Sequence, residues 1–257
     1  MVKKLLNPLV VSAFILVLVF GSIMHLCYGH LQTTKYHYIF QHHFAVRYLP
    51  EWLHPSLGEK RFVGFDIYKN YSGLWQSWHR NGELSYKGEW LNGKPIGDHQ
   101  VWSEKKIRLI SGKWLNGNAE GLHQNWYLDG AKMLVYNYVN GKANGDQTVW
   151  DKFGNKRRVS KYVNGVQHGK EVSWFEDGSV ASTGEWVNGA GVNSHKGFYK
   201  DGKLEEYKEF LDGIVVYLEE WNEVGTLSQK EYFKDNGDFE KRELFEKDKL
   251  IKTETEE

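Results

Sequence analysis

The chain has one cysteine, four prolines and no net charge: 33 lysines and arginines balance 33 aspartates and glutamates. A lone Cys27 excludes an intrachain disulfide and a cysteine metal cluster, and it carries no signal about compartment. Charge balance argues against nucleic acid as a main partner, because duplex binding leans on a basic surface. A local basic strip is compatible with it. Signatures of catalysis are missing too. There is no Gly-x-Ser-x-Gly elbow, no phosphate-binding loop and no His-Glu-x-x-His. Ser103-Glu104-Lys105-Lys106 matches Ser-x-x-Lys, but it lies in a turn without the companion motifs. Glu205-Glu206 and Glu219-Glu220 are sequence neighbours, which a strand sends to opposite faces, so neither makes an acid/base pair. These gaps predict a protein that is not an enzyme, with no catalytic residue, cofactor or metal.

Glycine, by contrast, is abundant at 27 residues, and much of it is periodic. A tetrad recurs every 24 residues without slip: Trp90-Leu91-Asn92-Gly93, Trp114-Leu115-Asn116-Gly117, Tyr138-Val139-Asn140-Gly141, Tyr162-Val163-Asn164-Gly165, Trp186-Val187-Asn188-Gly189 and Phe210-Leu211-Asp212-Gly213. Its closing glycines, Gly93, Gly117, Gly141, Gly165, Gly189 and Gly213, are the structural repeat positions. A second series keeps the period: Gly73, Gly97, Gly121, Gly145 and Gly169, each followed five residues on by Trp78, Trp102, Trp126, Trp150 or Trp174. The sixth copy has Asn193 in place of glycine and Phe198 as the aromatic. A second turn (Asn81-Gly82, Asp129-Gly130, Phe153-Gly154, Asp177-Gly178, Asp201-Gly202) falls between, degenerate at Glu104-Lys105-Lys106. Asn-Gly and Asp-Gly suit turns needing positive φ and are strong hairpin signals. Alternate turns lie 11 and 13 residues apart, which leaves one strand between each pair.

The fold expected is all-β: an elongated, single-layer antiparallel meander of 24-residue β-hairpin repeats, with one N-terminal hydrophobic helix. The aromatic and the aliphatic residue of each tetrad are adjacent, so they face opposite sides of the sheet. Mid-strand positions are variable and polar, among them Arg108, Lys132, Lys156, Arg157 and Arg158. Such a sheet gains stability by stacking each repeat on its neighbours.

Gly88-Glu89-Trp90-Leu91-Asn92-Gly93-Lys94-Pro95-Ile96-Gly97 resembles the MORN repeat. The longer spacing and the extra Trp126-Tyr127-Leu128-Asp129-Gly130 element are similar to the variant of the YwqK-type antitoxin family. The resemblance covers residues 65–250. It implies scaffolding, membrane apposition or partner binding rather than one reaction. After Gly213 the spacing shortens (Gly225, Gly237), which reads as a divergent cap.

Before the array, Lys3 and Lys4 precede an apolar run of about 20 residues, enough to cross a bilayer. The lysines place the amino terminus in the cytoplasm and the repeats outside. Residues 1–29 therefore read as a signal anchor or a signal peptide. The repeat domain is expected to be membrane-anchored and extracytoplasmic, or secreted or periplasmic if the signal is cleaved. Residues 30–64 read as a juxtamembrane segment, a solvated linker or a strand capping the first repeat. Its histidines (His30, His37, His42, His43) are compatible with metal binding, a reading less favoured than the linker. Phe62 to Tyr68 reads as a degenerate first strand, and residues 251–257 as a charged, frayed tail.

Functional candidates follow from this frame. His99, His123 and His195 share one repeat position, with Gln147 and Glu171 between. Equivalent positions lie about 10 Å apart, too far for shared zinc with ligands about 2 Å from the ion, so a solvated ladder of hydrogen-bonding groups is expected. The principal reading is a non-enzymatic protein-interaction scaffold, in one version antitoxin- or immunity-like, whose protein partner the sequence does not name. The alternatives are cell-envelope glycan bound on an aromatic stripe (Trp78, Trp102, Trp126, Trp150, Trp174, Phe198), or lipid met by a basic strip (Lys156, Arg157, Arg158). The N-terminal segment supplies the membrane contact.

Overall fold

The structure, a computed structural model, describes residues 7–54, 60–62, 65–66 and 70–256. Lys3 and Lys4 lie outside the described residues. The first helix, α1 (Pro8–Tyr28), is apolar on every side, with a mean hydropathy of 2.5 over its best window. Asn7 caps it by accepting the Leu9 N–H at 3.0 Å, and Pro8 suits the first helical position. The helix is long and apolar enough to cross a membrane. It is compatible with a signal anchor or a signal peptide.

Residues 30–54, expected as a linker or a capping strand, are helical instead. Helix α2 (Lys35–Ile39) runs through a π-helical turn (Phe40–Ala45) into α3 (Val46–Tyr48), followed by a 3-10 turn at Glu51–Leu53. Thr34 caps α2 by accepting the His37 N–H. Gln41, 2% exposed, donates its amide to the carbonyls of Leu26 and Gly29 at 2.9 and 2.7 Å. It thereby satisfies acceptors that the end of α1 leaves open.

The strands are β1 (Lys60–Phe62), β2 (Phe65–Asp66), β3 (Gly73–Trp78), β4 (Leu84–Leu91), β5 (Lys94–Trp102), β6 (Arg108–Leu115) and β7 (Asn118–Trp126). They continue as β8 (Lys132–Val139), β9 (Lys142–Ala143), β10 (Gly145–Trp150), β11 (Lys156–Val163), β12 (Val166–Gln167), β13 (Gly169–Trp174) and β14 (Val180–Val187). The series ends with β15 (Ala190–Phe198), β16 (Leu204–Leu211), β17 (Ile214–Trp221), β18 (Leu227–Phe233), β19 (Phe239–Glu246) and β20 (Lys249–Thr255). Among the described residues, β1 and β2 pair as a small separate ribbon, and the other eighteen form one open antiparallel sheet. The single strand expected from Phe62 to Tyr68 is therefore broken, with Phe62 ending β1 and Phe65 opening β2. Residues 63–64 and 67–69 lie outside the described residues.

Two turn types alternate along the sheet. Asn92-Gly93 joins Leu91 directly to Lys94, and both residues have positive φ (49° and 72°). This is the two-residue hairpin turn that demands Asn-Gly. At the other end His79 and Glu83 close a loop in which Gly82 takes φ 84° and donates its N–H to the His79 carbonyl. That is a type I turn with a glycine bulge. The turn glycines also link successive copies: Gly93 N–H donates to the Tyr71 carbonyl, Gly141 to Ala119, Gly165 to Ala143 and Gly189 to Gln167, at 2.7–2.9 Å.

The chain divides into two compact units, residues 1–109 with 114–117, and residues 110–113 with 118–257. In the first, Leu31, Tyr38, Trp75, Tyr86 and Trp90 form a buried cluster. Leu31 and Tyr38 come from the N-terminal segment, so the helical turns are a lid over the first repeat. Gln32 completes the closure: its amide donates to the Gln76 carbonyl at 2.8 Å and its oxygen accepts the Gln76 N–H at 2.9 Å. A side-chain amide thus stands in for a neighbouring strand along β3.

The second unit has a thinner core, with Ala119, Leu218, His123, Ser160 and Glu231 buried. Glu231 is held by Arg242, whose Nε and Nη2 lie 2.6 and 2.5 Å from one carboxylate oxygen. The expected frayed tail is a strand: β20 pairs with β19 from Lys241↔Thr255 to Glu246↔Lys249, around a two-residue turn at Lys247-Asp248. Pairing of its backbone with β19 outweighs the solvation of a Lys/Glu-rich segment, whose side chains stay exposed apart from the half-buried Glu254.

Candidate interaction surface

The aromatic side of each tetrad builds the covered face of the sheet. His99 lies against Gly88 in a pit that a side chain on that glycine would fill, since a Cβ there would come within 2.6 Å of its imidazole Nδ1. His123 sits likewise over Gly112 and His195 over Gly184. In each case imidazole Nε2 meets a backbone carbonyl: Glu89 at 3.0 Å, Lys113 at 2.9 Å and Glu185 at 2.8 Å. Tyr86 bridges His99 Nδ1 (2.6 Å) and Trp90 Nε1 (3.0 Å). The expected ladder of hydrogen-bonding groups is present, but it is not solvated, because His99 and His123 are 8% and 6% exposed. Burial holds both imidazoles below their ordinary pKa, against a partial opposing effect of the backbone bonds. Further along the ladder, between His123 and His195, Glu171 accepts from Ser160 Oγ at 2.6 Å and from Gln167 at 2.9 Å. Among the described residues no cluster of three metal-ligating side chains occurs.

The aliphatic partner of each tetrad is turned to solvent. In the N-terminal unit Leu91 and Leu115 are 50% and 53% exposed; in the C-terminal unit Val139, Val163, Val187 and Leu211 are 39–44% exposed.

The second aromatic series stands at the bulged strand ends. Register shifts fall at Trp78, Trp126, Trp150, Trp174 and Phe198, and again at Trp221 and Phe233. The hairpin pattern therefore runs on where the sequence spacing shortens. All six stripe residues, Trp102 included, are half-buried. Trp78 also packs edge-on against Tyr38 at 5.5 Å, under the helical lid. At this margin several carbonyls are clasped by a ring from the preceding copy: Trp102 by His79 (2.8 Å), Trp150 by Tyr127 (2.8 Å) and Trp221 by Tyr199 (2.6 Å). His43 of the lid does the same for Trp78 at 2.7 Å, so the lid imitates a repeat.

The basic strip is broken by a bulge. Lys156 and Arg158 are both exposed, but Arg158 pairs with Val149, on the side of Ser160 and Tyr162, whereas Lys156 pairs with Trp150. Arg157, the extra residue between them, is half-buried, with its guanidinium 3.9 Å from Asp151.

No protein-family model and no curated protein matches the chain. Among solved structures, it is similar to accessory secretory protein 1, 2 and 3 of Streptococcus pneumoniae, at 18% identity and TM-score 0.24, covering 39% of this chain and 19% of that one. It is also similar to a GtfA/B complex bound to UDP and GlcNAc, at 14% identity and TM-score 0.18, over 48% of this chain and 27% of the other. Likenesses this slight bear on neither activity nor partner.

Proposed function

We propose that this protein is a non-enzymatic protein-interaction scaffold, exported and held at a membrane by α1, of the MORN-like kind found in YwqK-type antitoxins. The observation that carries the reading is the solvent-facing aliphatic row, Leu91 and Leu115 in one unit and Val139 through Leu211 in the other. These side chains recur on a frame whose turns are hydrogen-bonded copy to copy. Apolar residues presented regularly, beside variable polar positions, suit a protein partner. Glycan stacking needs open ring faces, and Trp102, Trp126, Trp150 and Trp174 are half-buried. Affinity capture with the full chain in mild detergent, against the envelope fraction of its host, tests the proposal. One stoichiometric protein, lost when Val139, Val163 and Val187 are changed together to Asp, is the expected result. Capture that survives this change removes the aliphatic row from consideration.

A second reading, lipid contact, has one observation in its favour. Leu128 and Phe153 stand 72% and 75% exposed at turn tips, and Lys152 lies over the Phe153 ring at 4.9 Å. Apolar tips beside cations suit an anionic bilayer surface. Vesicle flotation with and without anionic lipid decides it.

A further inference from the structure

Among the described strand glycines, Gly197 is the one neither held at positive φ nor pressed against a neighbouring side chain. Gly197 is outside the left-handed region, and a Cβ there would meet only Glu206, its Cβ at 3.5 Å and its backbone N at 3.9 Å, both ordinary contacts. The equivalent positions of the other copies carry side chains: Ser77, Val101, Asn125, Val149 and Ser173. A glycine inside a strand weakens it, and it often marks a place where something else approaches closely. Here it opens a cavity of about 530 Å³, walled by Tyr199 and Trp221 and floored by Glu205, Glu206 and Glu220. Glu205 and Glu206, expected on opposite faces, both line it because Glu205 is the extra residue of the bulge at Gly197/Phe198.

The floor is electrostatically unfavourable as it stands. Gly197 pairs with Glu206, and Glu206 pairs directly with Glu220 across β16 and β17. Like charges placed opposite one another destabilise a sheet. Lys208 offsets Glu206 at 2.8 Å, and Gln229 donates to Glu220 at 2.8 Å. Glu205 has no ion pair or hydrogen bond among the described residues. Of two further nearby cations, Lys203 is bound to Asp201 at 2.8 Å and to the Glu223 carbonyl at 3.0 Å, and Lys200 lies 3.7 Å from Asp177. Tyr199 holds its ring in the wall by donating to the Trp221 carbonyl at 2.6 Å. Its hydroxyl is pushed above the ordinary range by desolvation and then by Glu205, Glu223 and Glu220, so the cavity lies in a negative field.

We propose that this cavity receives a cationic side chain, an arginine of the partner protein, with its guanidinium against Glu205 and Glu220 and its plane along Tyr199 and Trp221. Carboxylates and aromatic faces both favour a weakly hydrated planar cation over an ammonium. The inference rests on the scaffold reading and names the chemistry its partner presents. The test is fluorescence anisotropy on the full chain in neutral detergent. The probe is a labelled Arg-Gly-Gly-Arg-Gly-Gly-Arg peptide, compared with the same peptide carrying citrulline. The arginine peptide should bind at least tenfold more tightly. Gly197→Val, which places the side chain of Val101 and Val149 in the opening, should abolish that preference while leaving the thermal midpoint equal or higher. Glu205→Gln, at a position without a bond to lose, should weaken binding several-fold. Equal binding of the two peptides, or an arginine preference untouched by both substitutions, overturns the pocket. Repeating the affinity capture with Gly197→Val separates the two ideas. A partner captured equally by wild type and variant leaves the scaffold and sinks the pocket. Arginine-selective binding with no captured partner does the reverse.

Discussion

Lys106 takes φ 65° at a turn position where the other copies have Gly82, Gly130, Gly154, Gly178 and Gly202. The degenerate Glu104-Lys105-Lys106 thus keeps the turn geometry without the residue that suits it, at a cost of about 1–2 kcal/mol for a left-handed L-residue. Its ion pair with Glu83, at 3.1 Å, is largely exposed and contributes little. Lys106→Gly should therefore stabilise the full chain by about 0.5–1 kcal/mol after the added freedom of glycine in the unfolded chain, read as a higher denaturation midpoint; an unchanged or lower midpoint removes the strain argument. Asn193 makes the complementary point, since it holds φ 56° where glycine stands in other copies, as asparagine tolerates. The buried imidazoles set a pH dependence. His99 and His123 lie below their ordinary value of 6.5 chiefly through burial, so the unfolded chain binds the proton more readily. Their contribution is whole above about pH 6.5 and is lost as pH falls toward the lower folded values. His123→Gln, which copies Gln147 of the same ladder, should flatten the stability profile between pH 7.5 and 5.5; a slope unchanged from wild type places the titration elsewhere. The Gly88/His99, Gly112/His123 and Gly184/His195 pairs are legible in the sequence as a joint recurrence 11 residues apart. Their burial is not, because it depends on the pit that a missing Cβ leaves between strands.

Turns and strands are the elements the sequence discloses best, since Asn92-Gly93 and its copies each require positive φ and two-residue closure. The adjacency of Trp90 and Leu91 also reads correctly as two faces, one 3% and the other 50% exposed. Trp90→Ala should cost about 3–5 kcal/mol by emptying the cluster, and Leu91→Ala under about 1 kcal/mol at the solvent face; paired denaturation curves of the two variants check the asymmetry. The lid is the element that sequence reading misses. Residues 30–54 combine histidines, aromatics and a proline with no clean helical or strand period, and their helices are short. What fixes them is tertiary: Leu31 and Tyr38 enter the repeat core, and Gln32 satisfies both polar groups of Gln76. Gln32→Leu leaves that N–H and carbonyl without their partner, a loss of about 1–3 kcal/mol if they stay buried. Amide exchange in β3 should then quicken selectively, most at Gln76, with the β16–β18 amides unaffected. Uniform quickening across the chain instead would mean that the lid is needed for global rather than local stability. The last hairpin escapes notice for a different reason. Its turn residues, Lys247 and Asp248, take φ 50° and 58° without the Asn-Gly signature.

At the scale of the molecule, order is carried between neighbours rather than by a deep centre. In the C-terminal unit Gly141 reaches back to Ala119, Gly165 to Ala143 and Gly189 to Gln167, always one copy away. Few side chains there are fully buried, so each copy is held chiefly by the strands on either side. The repeat, rather than the residue, is then the unit that can be removed. Excising residues 142–165, one whole period, joins Gly141 to Val166 and keeps every side chain on its original face, because 24 is even and the paired turns leave together. Gln167 then takes the place of Ala143, and the bond from Gly189 to Gln167 survives. Excising residues 142–153 instead removes a single strand with one of its two turns, so the following strand would run the wrong way against its neighbour. The first variant should retain the β-type circular dichroism spectrum and a cooperative melt with a modestly lower midpoint; the second should lose cooperativity. The functional surfaces should separate in the same experiment. Capture that depends on the aliphatic row should weaken with the shorter row, whereas arginine-peptide binding at Gly197, two copies downstream, should persist in the first variant. Loss of both together would mean that the array is more cooperative than nearest-neighbour coupling allows.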